Sequence, residues 1–343
     1  MRPVTQYVSV DPARPDPEVI ACAARIIREG GLVAFPTETV YGLGANAFDP
    51  AAVAGVFRAK GRPSDNPLIV HIAGTDDLEI AARAVPEKAR KLGASFWPGP
   101  LTMVLVASPG VPRVTSGGLA TVAVRVPAHP VATALIRASG TPVAAPSANR
   151  SGRPSPTNAR HVLEDLDGRI DMILDGGPCT VGVESSVIDL TGDPPVLLRP
   201  GGLSRSSIEA VIGDIRTLEQ APEAANRSPG TRYRHYAPKA RVILAGPGEV
   251  AREVARHLSD GRRVGVMAVH PVPGGRAGLS VRMMSADPAG YARELFAALR
   301  EMDDLNCEVI VAETVDERGL GSAVMDRLRR ASQGDSAGPS QGS

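Results

Sequence analysis

The residues of this chain that could do chemistry gather in a few short segments. Residues 36–44 (PTETVYGLG) place two threonine hydroxyls (Thr37 and Thr39), the Glu38 carboxylate and a phenol together. Gly42 and Gly44 there let backbone approach a ligand closely. In residues 58–67 (RAKGRPSDNP), Lys60 and Arg62 stand on a turn stiffened by Gly61 and Pro63, with Asn66 following. A compact ammonium beside a planar guanidinium fork suits a polyphosphate, although cations at a helix C-terminus are also what the helix dipole favours. His71 ends the next apolar run and reads equally well as a core histidine. Residues 116–127 (SGGLATVAVRVP) set Thr121 and Arg125 at even spacing on one strand. Side chains alternate along a strand, so Thr121, Ala123 and Arg125 share a face while Val122, Val124 and Val126 point to the core. An inward Arg needs an anion, either a substrate carboxylate or a carboxylate of the same domain. Residues 145–157 (APSANRSGRPSPT) offer Ala145, Ser147, Asn149 and Ser155 in a loop stiffened by prolines. Such a loop can hold ribose and phosphate at little ordering cost. Ser185 and Ser186 open a strand in residues 182–189 (GVESSVID), and Arg199 ends another in residues 198–201 (LRPG).

The elements that must position these groups are read from periodicity. A helix is predicted over residues 18–29, stopped by Gly30 and Gly31, and a buried strand over 32–35. Further strands are predicted at 68–72, 102–106, 121–126, 143–145, 171–174, 186–189 and 196–198. Helices are predicted at 50–59, 79–85, 86–92, 130–138 and 159–166. This mixed order makes residues 1–215 an α/β or α+β sheet domain whose loops carry the chemistry. Residues 216–238 read as a linker that ends in SPGTRYRHYAP, a segment with the composition of a lid. Strands at 241–245, 263–268 and 309–313 alternate with helices at 249–258, 289–301 and 322–331, predicting a smaller parallel-sheet domain over 239–332. Residues 333–343, rich in Ser, Gly and Gln, read as a disordered tail. The G-x-G-x-x-A at 246–251 mimics a dinucleotide fingerprint, but no acidic residue ends the next strand, so a structural turn is expected.

Composition narrows the function classes. Aromatics are 3% of the 343 residues and the formal net charge is +1, which opposes nucleic-acid binding by stacking rings or a broad basic field. Cys22, Cys179 and Cys307 form no CxxC pair, which opposes a structural zinc and fits a reducing compartment. No GxxxxGK[ST] loop, GxSxG elbow or Ser-His-Asp order occurs. With no signal pattern and no long apolar run, a cytoplasmic enzyme is expected.

Five motifs in order, PTETVYGLG, KGRPSDNPL, TVAVRVP, PSANRSGRPSPT and VESSVIDL, resemble the threonylcarbamoyl-AMP synthase family, whose catalytic module is the YrdC-type domain. The segments SPGTRYRHYAP and GLGSAVMDRLRRAS resemble its longer, two-domain form, so the likeness spans nearly the whole chain. The resemblance implies an α/β fold: a twisted mixed sheet, then a linker and a smaller Rossmann-like parallel-sheet domain. It implies a nucleotidyltransferase that joins ATP, L-threonine and bicarbonate or CO2, with Mg2+ on the phosphates rather than on protein side chains. Threonine would lie near Thr39, His71, Arg125, Ala145 and Ser185, with Arg125 on its carboxylate. ATP would lie against Lys60, Arg62, Asn66, Thr121, Ser147, Asn149, Ser155 and Arg199, with Tyr236 closing over it. Lys60 and Arg62 would offset charge on the leaving pyrophosphate. In the family the product passes to a transferase complex that modifies the tRNA adenosine beside the anticodon. A noncatalytic RNA-binding protein and a carbamoyl-adenylating transferase are the competing readings. The near-neutral charge opposes the first and the lack of cysteine clusters the second.

Overall fold

A computed structural model describes residues 4–227 and 236–333, the Asn226 side chain aside. Contacts divide them into two units: residues 4–151 with 155–227, and residues 152–154 with 236–333.

The first unit opens with β1 (Gln6–Ser9), α1 (Pro17–Arg28), β2 (Val33–Phe35), β3 (Gly42–Asn46), α2 (Pro50–Lys60) and β4 (Ile69–His71). A 3-10 turn (Thr75–Asp77), α3 (Leu78–Ala81), α4 (Glu87–Phe96), β5 (Leu101–Val106), β6 (Thr121–Arg125), α5 (Pro130–Ser139) and β7 (Val143–Ala144) follow. It closes with α6 (Ala159–Leu166), β8 (Met172–Asp175), β9 (Ser186–Asp189), β10 (Val196–Arg199), α7 (Arg205–Ile212), β11 (Arg216–Thr217) and a 3-10 helix (Pro222–Arg227). The strands form one mixed sheet in the order β1-β8-β2-β3-β7-β4-β6-β5-β9-β10-β11.

Helix starts follow from local chemistry. Asp16, Asp49 and His129 each accept a hydrogen bond from an early helical N–H, and a proline follows each of them. That pairing satisfies an orphan donor and presets φ for the first turn. At the other end of α2, Gly61 takes the left-handed conformation (φ 62°), which turns the chain sharply after Lys60.

The strand alternation predicted for β6 is what the sheet shows. Val122, Val124 and Val126 lie in the main core, whereas Ala123 packs on the other face with Ile69, Val104, Val187 and Leu198. Parallel pairing of β4 with β6 sets His71 beside Arg125.

Three expectations are corrected. Residues 42–46 are a strand inside the sheet rather than only a loop. A Cβ on Gly44 would stand 2.9 Å from both Phe35 and Val143, so glycine lets the neighbours close over it. The helix expected over 79–85 is the short α3, because Ala82 turns extended and bridges Ala107. The expected linker from 216 belongs to the first unit as far as 227. There β11 pairs with β10, Ala221 and Ala224 cover the apolar patch around Ala123, and Arg227 pairs with Asp189 at 2.9 Å. Its polar, non-periodic sequence concealed two alanines that seal a sheet face. Strand β1, strand β11 and helix α7 were not anticipated either, being short or polar.

The second unit contains β12 (Arg241–Ala245), α8 (Val250–Ser259), β13 (Val264–Ala268), β14 (Leu279–Met283), α9 (Pro288–Asp304), β15 (Val309–Glu313) and α10 (Gly321–Ser332). All four strands are parallel, in the order β12-β15-β13-β14, as expected for a Rossmann-like domain. The added strand β14 lies at an edge with Val281 and Met283 exposed, which blurs its alternation. Among the described residues, no helix is long and apolar enough to cross a membrane.

Candidate active site

Arg125 is the hub of the first cluster. It is 4% exposed, and each of its nitrogens faces a protein acceptor. Nε donates to the Gly99 carbonyl at 3.2 Å, Nη1 to Thr39 Oγ1 at 2.9 Å, and Nη2 lies 2.6 Å from Glu38 Oε1. The proton order around Thr39 can be deduced. Thr37 Oγ1 gives its proton to the Val40 carbonyl (2.7 Å), so across the 2.9 Å Thr37–Thr39 contact Thr39 must donate. Thr39 thus accepts from Arg125 and passes its own proton on, which fixes the loop after β2 against the end of β6.

His71 stands next to Arg125 in the sheet and meets Phe35 edge to face. Burial, reinforced by the Arg125 charge, pushes its proton affinity down to about 3, against weaker opposition from the Ile69 and Val143 carbonyls. The ring is therefore neutral at working pH, and its buried Nδ1 makes no well-directed hydrogen bond. Ala145, whose N–H donates to the Ile69 carbonyl, joins Phe35 and Val143 in an apolar cluster.

Ser185 Oγ lies 2.7 Å from Thr102 Oγ1, and Arg199 donates to the Ser185 carbonyl at 2.9 Å and to its hydroxyl at 3.3 Å. This crossing requires glycine at 201, where a Cβ would stand 2.3 Å from Ser185 C and Ser186 N. Ser155 donates to Glu184 Oε1 at 2.5 Å. The Val181 and Gly182 N–H groups donate to the Glu38 and Thr39 carbonyls, tying this loop to the Arg125 cluster.

Lys60 is the hub of the second cluster. Its ammonium donates to the Ser147 carbonyl (2.5 Å), the Asn149 carbonyl (2.6 Å) and, more weakly, Asn149 Oδ1 (3.4 Å). Ser147 Oγ donates to the same Oδ1 at 2.6 Å. Lys60 therefore staples the 145–157 loop through neutral oxygens. Burial, and then the nearby Arg62 charge, hold its proton affinity well below the usual lysine range, while Asp165 opposes them. Arg62 donates to the Pro67 carbonyl at 3.2 Å and braces the turn that contains Asn66. The same turn is approached by Gly117 in the left-handed conformation, where a Cβ would meet the Asp65 carbonyl at 2.7 Å.

The predicted residues thus fall into two groups. Thr39, His71, Arg125, Ala145 and Ser185 line neighbouring central strands and loops. Lys60, Ser147 and Asn149 form one knot, with Arg62 and Asn66 on the adjoining turn. Arg199 and Ser155, expected with the nucleotide, touch Ser185 and Glu184. Thr121 is half-buried at the far end of β6, four residues or about 13 Å of strand from Arg125. Tyr236 belongs to the second unit, with its ring stacked on Phe296 (5.4 Å) and the Arg327 guanidinium 5.2 Å from the ring centre. Of the expected lid over 228–238, residues 228–235 lie outside the described residues. Glu38 stood among the candidate groups without a partner, and Thr102 and Gly201 carried no expectation. Glu38 had left a signal: a lone carboxylate within an otherwise neutral motif, in a chain with an inward Arg to pair.

Known proteins resemble the chain along most of its length. A family model described as Telomere recombination, covering Sua5, YciO and YrdC, matches residues 25–201. A second, described as Threonylcarbamoyl-AMP synthase, C-terminal domain, matches residues 203–333. The chain is 54% identical to the threonylcarbamoyl-AMP synthase of Pyrococcus abyssi, over 91% of this chain and 94% of that one. Identity to the Bacillus subtilis threonylcarbamoyl-AMP synthase is 49%, over 93% and 94% of the two chains. The crystal structure of P. abyssi Sua5 complexed with L-threonine is similar at a TM-score of 0.91 and 52% identity, covering 96% of this chain and 98% of that one.

Proposed function

This chain belongs to the threonylcarbamoyl-AMP synthase family, and from that premise we propose that it condenses L-threonine, bicarbonate or CO2 and MgATP into threonylcarbamoyl-AMP, releasing pyrophosphate. It is an enzyme by family, and the class proposed is nucleotidyl transfer. The observation that carries the reading is the buried Arg125 fork, set on the sheet beside a neutral His71 and tied by its Thr39 loop to the Ser185 loop. A relative of near-identical fold is known with L-threonine bound, which supports placing the same amino acid here.

In the proposed reaction the threonine carboxylate lies on the Arg125 fork, displacing part of its protein contacts, and the side-chain hydroxyl meets His71. The amine nitrogen attacks CO2 to form a carbamate, losing a proton. A carbamate oxygen then attacks the α-phosphorus of ATP, and the bond to the β-phosphate oxygen breaks to release pyrophosphate. The protein's part is positioning and electrostatics more than proton transfer by a dedicated base. Lys60 and Arg62 bear on the phosphates, Lys60 by shaping the Ser147–Asn149 loop from beneath and by its charge. Mg2+ would enter as part of the substrate, held by phosphate oxygens. The adenylate would then serve a transferase acting on the tRNA adenosine beside the anticodon.

The test is mass spectrometry of a reaction containing ATP, threonine, 13C-bicarbonate and Mg2+. A labelled threonylcarbamoyl-adenylate with matching pyrophosphate is expected. ATP turnover indifferent to threonine, or label absent from the adenylate, overturns the proposal.

A further inference from the structure

We propose that Glu38 is a positioning and specificity residue: it offsets the Arg125 charge, so that the amino-acid subsite favours a zwitterion over a bare carboxylate. The inference rests on the amino-acid subsite proposed above and deepens it.

The geometry is specific. Glu38 is only 6% exposed. Its Oε1 lies 2.6 Å from Arg125 Nη2, its Oε2 accepts from the Ala128 N–H at 3.0 Å, and its backbone carbonyl accepts from Val181. Glu38 and Thr39, adjacent in sequence, therefore span the two ends of the Arg125 fork, one with a charge and one with a hydroxyl. Between Oε1 and Nη2 the approach is close yet poorly directed for a hydrogen bond, so charge rather than hydrogen-bond geometry defines this contact.

The consequence follows from charge bookkeeping in a dry site. An Arg with no counter-ion would bind any carboxylate strongly. With Glu38 in place, an incoming carboxylate meets a pair already neutral, and a ligand with no positive charge leaves a net negative charge buried. An α-amino acid carries its ammonium two bonds from the carboxylate carbon, near enough to balance Glu38. The titratable groups linked to the pair bring no charge to offset it: burial holds the His71 and His129 rings and the Cys179 thiol toward their neutral forms.

The experiment is calorimetric binding of L-threonine and of its des-amino counterpart, 3-hydroxybutyrate, to the full chain, with no turnover required. Wild type should prefer threonine by at least tenfold. Glu38→Gln, nearly the same shape without the charge, should bind 3-hydroxybutyrate more tightly than wild type and lose most of that preference. Glu38→Asp, which keeps the charge, should retain the preference even if both affinities fall. Undiminished preference in Glu38→Gln overturns this inference and leaves the proposed function standing. Equal weakening of both ligands in Gln and Asp variants also overturns it, by making Glu38 merely structural. Failure of wild type to bind threonine at all sinks both readings.

Discussion

Lys60 and Arg125 are both long cations almost wholly withdrawn from water, and the protein holds them in opposite ways. Arg125 has a carboxylate 2.6 Å away, so its charge is cancelled where it stands. Lys60 sits on two carbonyls and an amide oxygen, and a second cation, Arg62, is close enough to weaken its hold on its proton. One region is electrically closed; in the other, among the described residues, dipoles and Asp165 meet the charge. A cation held by dipoles favours a ligand that brings negative charge, as a polyphosphate does, whereas a cancelled pair favours a ligand of no net charge, as an amino acid is. The two substrates of the proposed reaction differ in this way.

The contrast can be broken most forcefully at Arg125. Arg125→Gln leaves Glu38 as a buried charge without its counter-ion, and should cost about 3–5 kcal/mol of stability in urea unfolding. The double variant Arg125→Gln/Glu38→Gln should recover more than half of that loss; no recovery would mean that the pair is not the reason for the damage. At Lys60 the hydrogen-bond partners are neutral oxygens, and Asp165 acts only through its charge. Lys60→Met should cost less, about 2–4 kcal/mol, from the carbonyl and amide oxygens left without a donor. It should also reduce ATP-dependent pyrophosphate release by at least about 100-fold, the scale of losing one electrostatic contact in a dry site. Threonine binding by this variant should stay within a few-fold of wild type, and a parallel loss would dissolve the distinction between the regions.

A smaller effect comes from pH. His71 takes a proton near 6.5 when unfolded but only near 3 when folded. Between those values the unfolded chain binds a proton that the native chain does not, so stability rises with pH across the window. Acidification below about 6.5 should therefore lower stability, by up to about 1.4 kcal/mol per pH unit from this group. His71→Gln should flatten that slope, and unfolding curves at pH 5 and 7 for both proteins measure it. The smallest effect is at the surface. Lys88 and Asp193 lie 2.6 Å apart, as close as Arg125 and Glu38, but they are solvent-exposed. Lys88→Ala should change stability by less than about 0.5 kcal/mol. A larger change would show that distance, rather than burial, governs these pairs.

Much of the scaffold could be read before any coordinates because period-2 alternation is a local property. Thr121, Ala123 and Arg125 had to face one way once Val122, Val124 and Val126 faced the core. Helix α2 and the turn after Lys60 were legible from equally local signals, with Pro50 at the start and Gly61 past the end. Strand β3 was hidden because its glycines carry no pattern, and the packing of residues 216–227 because two alanines seal the sheet while their neighbours remain polar. The site was legible as a set of segments, but its wiring was not. Nothing in residues 58–67 says that Lys60 will point at the carbonyls of Ser147 and Asn149, and nothing near Arg125 says that its counter-ion is Glu38.

By itself, then, the order of residues determined which groups would be present, which strand face Arg125 would occupy, and where the chain would turn, since these depend on neighbours a few positions away. Tertiary structure alone decided which oxygen each buried cation would meet and therefore which cation would be neutralised. That outcome depends on contacts between residues more than eighty positions apart, and the energy of a buried charge is set by what lies within a few ångströms of it, whatever its distance along the chain.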